Sequence, residues 1–182
     1  MARAKETPSA DRSKPKTTRP SASSRRPPPS AAPGETLSGR KLDAVPDRID
    51  IRDWFYQPRL APLPDTIVNC DHVPLILDQG QEGACTGFAL AAVINYLRFG
   101  QYENESVSPR MLYEMARRYD EWPGENYEGS SARGAMKGWI RHGVCLDAMW
   151  PQKRKGPGQF TPAIAKAAQR IPGGGFYRVM HR

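Results

Sequence analysis

Hydrophobic positions along the chain fall into four helical patterns preceded by a long stretch with no period. Residues 84–97, ACTGFALAAVINYL, are apolar nearly all round a helical wheel, with Thr86 and Asn95 the polar exceptions before Arg98. A helix of that kind is predicted to be buried on every side. Gly80 and Gly83 supply the freedom of the turn before it, and Gly100 is placed to end it in the left-handed conformation.

A second helix is predicted from SPRMLYEMARRY, where Ser108 caps, Pro109 takes the first helical position, and Met111, Leu112, Met115 and Tyr119 return at helical spacing. SARGAMKGWIRHG predicts a third, capped by Ser130 or Ser131, with Met136, Trp139 and Ile140 as its buried stripe and Gly143 as its stop. TPAIAKAAQR predicts a short fourth, Thr161 capping Pro162. PGGG then releases the chain into FYRVM, the start of a strand. Ahead of the first helix, DTIVNCDHVPLIL is interrupted by Pro74 and suits an edge strand or an extended entry.

Composition separates the front of the chain from the rest. Residues 1–45 lack Phe, Tyr and Trp, carry seven Pro and seven Ser, and offer Leu37, Leu42 and Val45 as their large aliphatics. They bury too little apolar surface to offset ordering entropy and are expected to be a disordered tail. Ten Lys/Arg against four Asp/Glu make the tail +6 of the total +8. Its dispersed charges, without aromatics for base stacking, imply weak nonspecific polyanion contact at most. Residues 46–63 read as an extended strap and 64–182 as the folded domain.

No stretch reaches the roughly 18 apolar residues of a membrane span, and the first 30 residues lack the apolar core of a secretory signal. Cys70, Cys85 and Cys145 are odd in number and lack framework spacing, which argues for reduced thiols and a cytoplasmic location. The Asn104 glycosylation match is then coincidental. Cys70 with His72, and Cys145 with His142, do not reproduce metal-ligand spacings. No metal or cofactor is expected, and a small buried thiol explains Cys145.

The candidate chemistry lies in DQGQEGACTGFA, residues 78–89. The amino end of a helix presents free N–H groups and partial positive charge, which favour a thiolate, and Cys85 is placed there. A glycine-containing loop could fold the Gln79 side-chain amide beside the Cys85 N–H as a pair of oxyanion donors. Taken alone, Cys85 could equally be a small buried residue.

Gln79, Gly80, Gly83, Ala84 and Cys85 together resemble, in register, the active-site run of the papain-like cysteine peptidases. The resemblance continues through Phe88 and the small residues of the helix. Upstream, LPDTI resembles the opening of the mature family domain. Downstream, EGSSARGAMKGWIRHGV resembles its glycine-pair segment and following helix, with Ala135, Gly143 and Val144 on matching positions. It covers residues about 64–150.

The resemblance implies an α+β fold, of which this chain holds mainly the helical half-domain, the amino-terminal part of such an enzyme. It implies Cys85 as nucleophile, Gln79 as oxyanion donor, Gly83 as cleft wall, and Gly129 and Ser130 pairing with a substrate backbone. Ser130 departs from the second glycine, Thr86 stands where the family usually has an aromatic, and Glu82 where many secreted members have a disulfide cysteine.

Cleavage also needs a histidine and a residue to orient it. Papain-like enzymes place them about 130–150 residues past the cysteine, beyond Arg182. His72, His142 and His181 are poor substitutes by position. The leading expectation is a cysteine peptidase that hydrolyses peptide bonds through a Cys85 thioester, seen without its histidine half. The alternatives are an inactive half-domain that binds a peptide or partner chain, and a cysteine acyltransferase.

Overall fold

The computed structural model describes residues 36–37, 40–47, 49–58, 61–62, 64–68, 73, 75–120, 128–152 and 158–179. Among the described residues, four helices and two small sheets make an α+β fold: β1 (Thr36–Leu37), β2 (Arg40–Lys41), β3 (Ala44–Val45), α1 (Cys85–Phe99), α2 (Pro109–Arg118), β4 (Ser130–Ser131), α3 (Ala132–His142) and α4 (Pro162–Ala168). β1 pairs antiparallel with β2, and β3 pairs parallel with β4, Ala44 opposite Ser130 and Val45 opposite Ser131.

Local chemistry starts the helices where the sequence places them. Ser108 Oγ accepts from Met111 N–H, Ser131 Oγ from Gly134 N–H and Thr161 Oγ1 from Ile164 N–H, while prolines open α2 and α4. Gly143 ends α3 at φ 72°. Gly100 does not use the left-handed conformation expected of it: its φ is −63°, and Tyr102 carries the positive φ two residues later.

The core forms where α1, α2 and α4 meet around Ile94, Met111, Leu112, Val144, Trp150 and Ile164. Close helix contact depends on glycine. A Cβ on Gly87 of α1 would lie 2.7 Å from the Tyr113 backbone, and one on Gly138 of α3 would lie 2.7 Å from Met115 Cβ. That close approach corrects the expected stripe of α3. Its buried face is Arg133, Gly134, Ala135 and Gly138, while Met136 and Trp139 are half-buried and Ile140 is exposed. The largest side chains sit beside the tightest contact, because the helices meet where side chains are smallest.

α1 also departs from the expectation of burial all round. Ala89, Ala92, Val93 and Leu97 are exposed, the last two by 54% and 53%. They leave an apolar flank uncovered among the described residues.

β1, β2 and β3 lie within the last ten residues of the stretch expected as a tail, and they pair through backbone N–H and C=O groups, which needs no apolar side chains. Residues 1–35 lie outside the described residues. In the strap, Phe55 bridges Arg178, and Tyr56 N–H donates to the Arg178 carbonyl. Residues 176–179 of FYRVM supply this one bridge, and Met180 lies outside the described residues. No strand forms at 65–68 or 75–77; Asn69–His72 and Pro74 lie outside the described residues. Among the described residues no helix is long and apolar enough to cross a membrane.

A buried ion cluster fastens the strap. The Asp53 carboxylate, 4% exposed, accepts from Arg133 Nη2 and, at 2.8 Å, from Arg178 Nε. Asp47 Oδ1 takes the Arg133 backbone N–H at 2.9 Å, at the open amino end of α3.

Candidate active site

Gly80, with φ 62°, turns the chain while its N–H donates to Asp78 Oδ1 at 3.1 Å. The turn delivers Cys85 to the first residue of α1, where the thiol is half-buried. Ala84 precedes it fully buried and provides no side-chain cap.

Glu82 gives the loop its outside anchor. Its carboxylate accepts from Arg110 Nη1 at 2.6 Å, and Arg110 also pairs with Glu114 at 3.2 Å. An ion pair to α2 thus holds the position where the resemblance sets a disulfide cysteine in secreted enzymes. The sequence marked Glu82 only as the lack of a cysteine and missed its partner 28 residues away.

The two other departures from the family pattern meet each other. Thr86, in the first turn of α1, shares a hydrogen bond between its Oγ1 and the Oγ of Ser130 in β4. Both are buried, at 8% and 0% exposure. The hydroxyl pair joins the helix that carries Cys85 to the strand assigned to substrate pairing. Neither residue alone signals it, because the two are 44 apart in sequence.

Gln79, Gly83, Gly129 and Ser130 each contact residues 41–45, which run in a groove along the cysteine loop and β4. Gln79 Nε2 donates to the Lys41 carbonyl and, at 3.1 Å, to the Glu82 carbonyl. A Cβ on Gly83 would collide with the Asp43 carboxylate, and one on Gly129 with the Asp43 carbonyl. Both glycines are therefore needed for the segment to sit this close. The amide assigned to an oxyanion is engaged by backbone carbonyls in this conformation.

Among the described residues no histidine is hydrogen-bonded to Cys85. His142 instead shares a hydrogen bond of 2.6 Å with the Tyr119 hydroxyl, and its ring meets Phe160 edge-on at 5.1 Å. Burial lowers its pKa, with Arg118 and Arg141 adding to the shift. Cys70, His72 and His181 lie outside the described residues. Cys145 is 1% exposed, and burial pushes its thiol up to about 11. That is the behaviour of a packing residue rather than a nucleophile. Among the described residues no three His, Cys, Asp or Glu side chains are grouped to hold a metal ion.

No protein-family model matches the chain, and no curated protein matches it. Among solved structures it is similar to xylellain, a cysteine protease from Xylella fastidiosa, with a TM-score of 0.66 and 27% identity. The match covers 76% of this chain and spans 58% of the length of xylellain. The resemblance to papain-like cysteine peptidases that Gln79 to Cys85 carry in the sequence is thus carried by the fold of the chain as well.

Proposed function

We propose that this chain is the nucleophile-bearing half of a cysteine peptidase, with Cys85 attacking the scissile carbonyl and Gln79 donating to the oxyanion. The Cys85 sulfur would form a thioester as the amine leaves, and water would release the acid. The observation that carries this reading is the half-buried Cys85 at the first residue of α1, on a loop whose Gln79 and Gly83 contact the same segment, residues 41–45, as Gly129 and Ser130 do. Similarity to a cysteine protease supports it.

The histidine that must protonate the leaving amine comes, in this reading, from a second half or a partner chain. The flank of Ala89, Ala92, Val93 and Leu97, uncovered among the described residues, supports that assignment, because an apolar helix face is stabilised by cover. In the assembled enzyme, Cys85→Ala abolishes peptide hydrolysis and the acyl-enzyme adduct seen by intact mass, with the fold retained by circular dichroism. Retained hydrolysis would sink the assignment.

The same flank favours a second reading, an inactive half-domain that binds a partner. Loss of dye binding when the partner is added, with no adduct at Cys85 under any substrate, selects it over the peptidase.

A further inference from the structure

One lysine is held in the groove by both its backbone and its side chain. The Lys41 N–H donates to the Gly80 carbonyl at 3.4 Å, and its carbonyl accepts from Gln79 Nε2. Its ammonium reaches Glu128 Oε2 at 2.5 Å and Asp43 Oδ2 at 3.1 Å. Three residues on, Ala44 and Val45 continue along β4 in parallel register. The groove therefore accepts an extended chain whose carbonyl meets the Gln79 amide while the same residue's side chain meets Glu128.

The two carboxylates differ in origin. Asp43 belongs to the occupant, so it leaves with it. Glu128 belongs to the wall, immediately before Gly129, and stays for whatever enters next. A carboxylate at that rim attracts a cation and repels another carboxylate, so it discriminates by both signs. The charges register each other: Glu128 and Asp43 raise the Lys41 pKa, and Lys41 lowers that of Glu128.

Resting on the peptidase reading of the groove, we propose that Glu128 is its specificity residue. It selects an extended peptide with a basic side chain on the residue whose carbonyl meets Gln79, and Lys41 of the chain itself is the resident occupant. A peptide of that class enters as residues 40–45 withdraw, since both need the same Gln79 amide and the same edge of β4.

The test begins with amide hydrogen exchange at residues 41–45 in the full chain. Lys41→Glu and Glu128→Lys each speed exchange roughly two- to fivefold, as suits a partly exposed pair, and the double charge swap restores protection. A double swap as labile as either single variant overturns the pairing. Next, labelled synthetic peptides of residues 36–47, with Lys or Glu at position 41, are titrated into the Lys41→Glu chain and followed by fluorescence anisotropy.

The Lys peptide binds more tightly, and Glu128→Lys reverses the order. Equal binding of the two peptides, or no reversal, overturns the specificity role. Failure of the peptidase reading looks different: no adduct forms at Cys85 while the peptide preference persists. Hydrolysis indifferent to a basic residue instead rejects Glu128 and leaves the peptidase standing.

Discussion

Asp53→Ala tests how the strap is held. The carboxylate is 4% exposed and shared by Arg133, whose side chain is 6% exposed, and Arg178, at 24%. Truncation removes the anion from between two guanidinium groups already withdrawn from water. Breaking a buried ion pair from one side costs about 3–5 kcal/mol, because desolvation of the remaining charge is no longer offset.

For a chain of this size, each kcal/mol moves the melting temperature by about 2–4 °C, so the expected fall is roughly 6–20 °C. Thermal unfolding followed by circular dichroism reads it. Asp50→Ala is the control, because its partner Arg52 has an 85% exposed side chain that stays hydrated when the carboxylate is removed. Amide exchange at Tyr56 and Arg178 should rise in Asp53→Ala, since those backbone bonds lie beside the cluster. A fall below about 3 °C, or one equal to that of Asp50→Ala, refutes the view that a buried ion cluster fastens the strap.

Thr86→Val leaves the Ser130 hydroxyl buried without its partner and should cost about 1–3 kcal/mol, while adding Ser130→Ala recovers much of it; additive losses in urea titrations would contradict the pairing. Iodoacetamide labelling at pH 8 with peptide mapping should modify Cys85 well before Cys145, whose thiol at about 11 is ionised in roughly one molecule per thousand. Equal rates would mean that the Cys145 site opens. His142 has its pKa lowered in the fold from the ordinary 6.5, so the unfolded chain takes up the proton first. The stability held by its neutral form is complete above that value and is lost as pH falls through 6.5 towards the folded pKa. His142→Gln should flatten the fall in melting temperature between pH 7 and 5; an unchanged slope rejects this linkage.

The helix starts were legible because each is decided within four residues. Ser108 before Pro109, Ser131 before Ala132, and Thr161 before Pro162 satisfy the first free N–H groups from the residue next door. The stop at Gly143 is equally local. The candidate nucleophile was legible too, since the spacing from Gln79 to Cys85 is a property of one loop and needs no distant partner.

Contacts across long separations were not legible. Which face of α3 is buried depends on how closely α2 approaches at Gly134 and Gly138, and an absent side chain carries no periodic hydrophobic signal. Thr86 and Ser130 read singly as departures from a pattern, and their meeting exists only once α1 and β4 are side by side. Glu82 likewise finds Arg110 only through packing.

The 40–45 segment is the clearest division. Its composition is that of a tail, and composition measures what side chains can bury. Its place is held by the Lys41 carbonyl on Gln79, the Ala44–Val45 edge along β4 and the Lys41–Glu128 ion pair, each with a partner far away in sequence. The sequence by itself determined the local turns, caps and the cysteine loop; the tertiary structure decided what lies across that loop, because hydrogen bonds between distant backbones leave no trace in side-chain order.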